Sequence, residues 1–141
     1  MAAGVATMRL WPLIDTRDLD RSRAVYWPEP QLALAPDPDS GPVVVTSTYT
    51  VAPENGSPFL QAMAHVRRSR LRTGATQWGL FPDGETAHRF VEIFVVPSWE
   101  EHLRQHRERL TGADRQYEAQ ADALSEPPPQ TAHLIAADPP E

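Results

Sequence analysis

The chain has 141 residues, no cysteine, and a formal net charge of -6 from 13 Lys plus Arg against 19 Asp plus Glu. That length suits one domain with a real core, and the lack of thiols excludes disulfides, thiolate catalysis and cysteine-ligated metals. The acidic balance opposes a sequence-independent grip on nucleic-acid phosphates, and no stretch reaches the roughly 20 apolar residues that a membrane-spanning helix needs. Met1 to Met8 lacks the cationic start of a signal peptide, so none is expected, and the absence of cysteine fits a reducing cytosol.

Residues 1–42 carry Pro12, Pro28, Pro30, Pro36, Pro38 and Pro42 and show no sustained periodicity. Repeated prolines forbid helix interiors, so this is a proline-rich arm or linker. Trp11, Leu13, Ile14, Tyr26, Trp27, Leu32 and Leu34 make it more apolar than a free linker, and part of it is expected to lie on a partner surface. The acidic PDPDSGP segment marks its boundary with a folded domain over residues 43–136, and 137–141 form a polar tail.

Val43 to Val51 is a strand by its β-branched content, with Val43, Val45, Ser47 and Tyr49 on one face. Ser57-Pro58 predicts a helix start, and Phe59, Met63, Val66 and Arg70 recur at helical spacing to about Thr73, where Gly74 ends the helix. Ala75 to Phe81 reads as a second strand, and Pro82-Asp83-Gly84 turns it into a third, Phe90 to Val96. Pro97 stops that strand, and Ser98 with Glu101 predicts a capping box opening a helix. An apolar stripe from Trp99 through Leu110 to Leu124 continues that helix, with a break at Thr111-Gly112 that Asp114 could recap. Three prolines then precede a last strand, Thr131 to Ala136.

Strand, helix, strand, strand, helix, strand is the split βαβ order, and it predicts a ferredoxin-like α+β fold with both helices on one face of a four-stranded sheet. Val91, Ile93 and Val95 cannot share a face with Phe90 and Phe94, yet both sets are apolar. A second copy of the sheet is the economical cover, which predicts a homodimer.

The residues from PVVVTSTYTV through RSRLRTGATQWGLF to FVEIFVVPSWEEHLRQH resemble the soluble C-terminal extension of bacterial major facilitator superfamily exporters. The resemblance is to the transmembrane secretion effector type, which includes enterobactin-exporter-like proteins, and it spans roughly Trp11 to Ala136. It implies the dimeric α/β-barrel group, which includes antibiotic-biosynthesis monooxygenases. The membrane-spanning transporter of those exporters is not among these residues, so transport itself does not carry over. The resemblance transfers no catalytic residue position by position.

Candidate chemistry collects around the third strand and the helix after it. Glu92 stands between Phe90 and Phe94 on an apolar strand, where a carboxylate needs a partner. It is either a general base or ligand anchor, or the buried ion-pair partner of Arg70, Arg72 or His102, and the second reading is preferred. His102 and His106 lie four apart, the spacing that lets two imidazoles share a metal, but a site needs a third ligand and only Glu92 offers one. No metal and no cofactor are therefore predicted. Trp78, Phe90, Glu92, Phe94, Trp99, His102 and His106 are the candidate ligand-binding residues, with core packing as the alternative for the aromatic ones. Arg67, Arg68, Arg70 and Arg72 form a basic run that reads as a solvated helix face, or as a site for an anionic substrate or an anionic membrane surface.

Two functions follow from the resemblance. One is an accessory module that binds a hydrophobic small molecule or a transporter partner, cytoplasmic and peripheral to the inner membrane through that partner. The other is a cofactor-independent monooxygenase or cyclase acting on an aromatic or polyketide-like substrate, with His102, His106 or Glu92 as base. A pocket holding Glu92 and a histidine favours the enzyme, and a filled core with an exposed arm favours the module.

Overall fold

The computed structural model describes residues 27–141, so Trp11, Leu13, Ile14 and Tyr26 of the predicted arm lie outside the described residues. Strand β1 (Val43–Thr50) leads through a short 3-10 turn into helix α1 (Gly56–Thr73). Strands β2 (Gln77–Pro82) and β3 (Arg89–Val96), helices α2 (Trp99–Arg104) and α3 (Gly112–Ala123), and strand β4 (Gln130–Ile135) follow. The four strands form one antiparallel sheet in the order β2-β3-β1-β4, which is the ferredoxin-like α+β arrangement.

Local chemistry accounts for the element ends. Helix α1 starts earlier than Ser57-Pro58 predicts, because Pro53 already sets a helical φ at the head of the Pro53–Asn55 turn and its missing N–H costs nothing there. It ends at Gly74, whose φ of 135° no L side chain adopts without strain. Pro82 is tolerated inside β2 because β2 is an edge strand.

The capping box expected at Ser98 is half formed: Ser98 Oγ accepts from the Glu101 amide at 3.2 Å. The Glu101 carboxylate turns instead to Arg109 at 2.7 Å, since a charged partner outbids a neutral amide. The proline-rich segment completes the cap, with Ser40 O accepting from Trp99 N at 2.8 Å and Pro38 O from Glu100 N at 3.0 Å. Its approach requires glycine at 41, where a Cβ would stand 2.2 Å from Pro97 O. At the predicted break the helix passes through a π-helical turn, Gln105–Arg109, and Thr111 and Asp114 recap α3 with both halves of a capping box.

The inner face of β1, Val43, Val45, Ser47 and Tyr49, is buried beneath the helices, and its outer residues are half-buried. Two apolar clusters fill this layer. One gathers Phe59, Met63, Val66 and Ala121 around Tyr49 and Val51; the other gathers Phe94, Val96 and Trp99 around Val43 and Val45. Trp78 packs against both.

Candidate functional site: a histidine-lined cavity between sheet and helices

Beside the second cluster the layer is not filled. A cavity of about 360 Å³ opens there, floored by Val45, Ser47 and Tyr49 of β1, Phe94 of β3, and Thr131 and His133 of β4. Its roof is Arg70 of α1 with His102 and His106. Trp27, Pro28 and Pro30 close one side, and Arg115, Glu118 and Asp122 of α3 stand at the other. The volume is within the range of small-molecule pockets.

The strongest electrostatic feature is the buried Arg70. Its Nε donates to Glu92 Oε2 at 3.1 Å, its Nη2 reaches Glu92 Oε1 at 3.4 Å, and its Nη1 pairs with Glu118. Trp78 Nε1 adds a hydrogen bond to Glu92 Oε2 at 2.9 Å. Burial works against the guanidinium's charge, but Glu92 and Glu118 more than offset it and hold Arg70 protonated. Burial and the Glu92 charge push the Tyr49 phenol up, so it stays neutral. Asp122, exposed at the mouth, is pushed up to about 6 by desolvation and by Glu118.

The histidines form the polar lining. His102 Nε2 lies 3.1 Å from His133 Nε2, and His102 Nδ1 lies 3.0 Å from Gln105 Oε1. Burial lowers His102 to about 4, with the Gln105 hydrogen bond acting in the opposite direction. Burial, then His102 and Arg70, lower His106 to about 2, and burial lowers His133. All three are neutral imidazoles near pH 7. The His106 ring stacks on Trp27 with centroids 3.9 Å apart and planes within 1°.

Of the seven candidate ligand-binding residues, Phe94, His102 and His106 line the cavity. Trp78, Phe90, Glu92 and Trp99 do not. Phe90 packs on Phe59 at 5.1 Å, in the filled cluster, and Trp99 backs the histidines, 5.5 Å from His102 and 6.0 Å from His133. Glu92 is the ion-pair partner of Arg70, while Arg72 goes to Asp114. The basic run therefore divides: Arg70 points inward, Arg67 lies 5.9 Å from the Trp78 ring centroid, and Arg68 is exposed. Among the described residues no group of three His, Cys, Asp or Glu is arranged to hold a metal.

Ser47, Asp122, Thr131 and His133 also line the cavity, and Gln105 backs His102, although none of the five is a ligand-binding candidate on sequence grounds. For His133 a signal existed, because strand alternation puts Thr131, His133 and Ile135 on one face of TAHLIA. Gln105 and Asp122 carry none, since a polar helical residue beside an apolar stripe is ordinary.

The family model of the transmembrane secretion effectors matches residues 1–141. The chain belongs to that family. Among the described residues of this family member, no helix is long and apolar enough to cross a membrane. No curated protein sequence matches it. Solved structures similar to it include a candidate antibiotic biosynthesis monooxygenase from Caulobacter crescentus, with 14% identity, a TM-score of 0.60, and coverage of 71% of this chain and 93% of that one. A mutant of SnoaB, a cofactor-independent oxygenase from Streptomyces nogalater, has 16% identity and a TM-score of 0.58, with 69% and 94% covered. Rv0793 from Mycobacterium tuberculosis has 20% identity and a TM-score of 0.56, with 72% and 100% covered. At these identities the likeness is one of fold.

Proposed function

We propose that this secretion-effector family member binds a neutral, hydroxyl-bearing aromatic molecule in the cavity and oxidises it without a cofactor. The observation that carries this reading is the cavity itself, an unfilled volume walled by Phe94, Trp27 and three neutral imidazoles. Charge decides the ligand's character. Arg70 and Arg115 face Glu92 and Glu118, with Asp122 at the mouth, so the wall has no surplus positive charge to hold an anion. A flat ring suits the aromatic walls, and its hydroxyls suit the imidazoles and the Ser47 and Thr131 hydroxyls. Removing a proton from such a hydroxyl leaves an electron-rich ring able to react directly with dioxygen, and neutral imidazoles are the bases at hand. The ion-paired Glu92 is not in the lining and is not that base. The oxygenase described for the SnoaB structure supports the reading through shared fold.

Oxygen uptake with 1,5-dihydroxynaphthalene tests it. Uptake by the wild-type chain and its loss in Ser47→Phe, which fills the cavity, are the expected results; equal uptake by both would sink the idea. Binding without uptake would favour the accessory-module reading, a cytoplasmic ligand-binding domain serving an exporter, which the family match over the whole chain supports.

The active unit in this reading is a homodimer joined through the outer sheet face. Phe81 and Leu134 there are 53% and 54% exposed, beside half-buried Val91, Ile93 and Val95. Sedimentation at micromolar concentration should show a dimer that Ile93→Lys dissociates, and a monomeric wild type contradicts it.

A further inference from the structure

We propose that His133 is the proton-accepting residue of the cavity, and that Thr73, Gln105 and His102 are a positioning relay that fixes which of its nitrogens accepts. The inference rests on the cavity being a ligand site, but its first test does not. The relay starts deep in the layer, at Thr73 at the C-terminal end of α1, and ends at the edge strand β4.

The direction of each hydrogen bond follows from the one before it. Thr73 Oγ1 lies 2.7 Å from Ser69 O, a separation that two oxygens tolerate only with a proton between them. A carbonyl cannot donate, so the single hydroxyl proton of Thr73 is committed to Ser69. Thr73 Oγ1 must then accept from Gln105, whose Nε2 is 3.0 Å away. That fixes the amide, and the other end of the same amide, Oε1, faces His102 Nδ1 at 3.0 Å and can only accept. His102 therefore carries its proton on Nδ1. It is fully buried and neutral, so its Nε2 offers a lone pair, and the imidazole 3.1 Å away must supply the proton from His133 Nε2. His133 Nδ1 is left as a bare lone pair.

That nitrogen has no partner among the described residues, and His133 is half-buried on the cavity floor. A ligand hydroxyl can donate to it. On full transfer the O–H bond breaks, an Nδ1–H bond forms, and the oxygen keeps the electron pair. The imidazolium so formed still donates its Nε2–H to His102, so the relay survives protonation without rearranging. His102 itself cannot play this part, because both its nitrogens are committed inside the wall.

Two measurements on the full chain decide the matter. Side-chain 15N NMR at neutral pH should show His102 protonated on Nδ1 and His133 on Nε2. Gln105→Leu should erase the His102 preference and shift the His133 resonances. Gln105→Glu, whose carboxylate still accepts from His102 Nδ1 while the Thr73 hydroxyl turns from Ser69 to donate to it, should restore both. A wild type with the proton of His133 on Nδ1, or a Gln105→Leu variant with both tautomers unchanged, overturns the relay. In fluorescence titration with 1,5-dihydroxynaphthalene, His133→Phe should bind about tenfold more weakly, the worth of one good hydrogen bond. Equal binding by wild type and His133→Phe overturns the role of His133 and leaves the cavity reading standing. No binding by the wild type overturns the cavity reading, and the role of His133 with it, while the tautomer result stands by itself.

Discussion

At one end of the layer between sheet and helices, Phe59, Met63 and Val66 close against Tyr49 and Val51 in a buried apolar cluster. At the other, Phe94 and Val45 make only one wall, and the rest is largely polar, with histidines, hydroxyls and charged groups beside a tryptophan laid on from outside the regular elements. Arg70 stands between the two ends, held by Glu92 and Glu118. Close packing at the first end stabilises the fold, and that surplus lets the second keep a cavity, since each unfilled volume and each buried polar group costs stability. The two ends should therefore answer differently to substitution.

The largest effect is expected from Phe59→Ala, which leaves a void in the filled end and should cost about 3–5 kcal/mol in chemical denaturation while leaving the affinity of the folded protein for 1,5-dihydroxynaphthalene unchanged. A changed affinity would mean that the two ends are not separable. Glu92→Leu should cost nearly as much, about 3–4 kcal/mol, because it leaves the buried guanidinium of Arg70 with one carboxylate and strips Trp78 Nε1 of its acceptor. Pairing it with Arg70→Met should recover most of that loss. A double variant as unstable as the single one would show that packing rather than uncompensated charge sets the penalty.

Acid should act on the cavity end. His102 and His106 are lowered to about 4 and about 2 in the folded chain, by burial first, against an ordinary value near 6.5. The unfolded chain then binds more protons, so their contribution is complete above pH 6.5 and is lost as pH falls toward those folded values. The loss should approach about 1.4 kcal/mol per pH unit for each histidine between pH 6 and 4. Asp122 opposes it: raised to about 6, it favours the folded state at low pH, but it is exposed and solvent screening weakens it. Two buried imidazoles win, and urea midpoints should fall between pH 6.5 and 4. His106→Phe should roughly halve that slope, and an unchanged slope would show that His106 is not buried neutral. The smallest effect belongs to Trp27→Ala, which removes the ring stacked on His106. About 1 kcal/mol of stability should go with it, together with faster ligand dissociation in stopped-flow fluorescence.

Much of the architecture was legible in local chemistry. Gly74, Pro97, Thr111 with Asp114, and the β-branched runs mark their elements within a residue or two, because caps and strand propensity depend on neighbours in the chain. The half-formed cap at Ser98 was not legible, since the rival partner of Glu101 is Arg109, at the end of a π-helical turn that no spacing announces. In the site, Phe94, His102 and His106 were legible as residue types at suggestive spacing. His133 could have been read from strand alternation.

The sequence by itself determined the order and type of the elements, the presence of a buried carboxylate at Glu92, and its need for a partner, because each follows from residues close along the chain. Only the tertiary structure decided that the partner is Arg70 rather than Arg72 or His102, since that depends on how α1 is rotated over the sheet. It also decided that His102, from α2, meets His133, from β4, and that a cavity remains beside them. An unfilled volume belongs to no residue. It is what is left where packed surfaces fail to meet, and composition and periodicity carry no record of it.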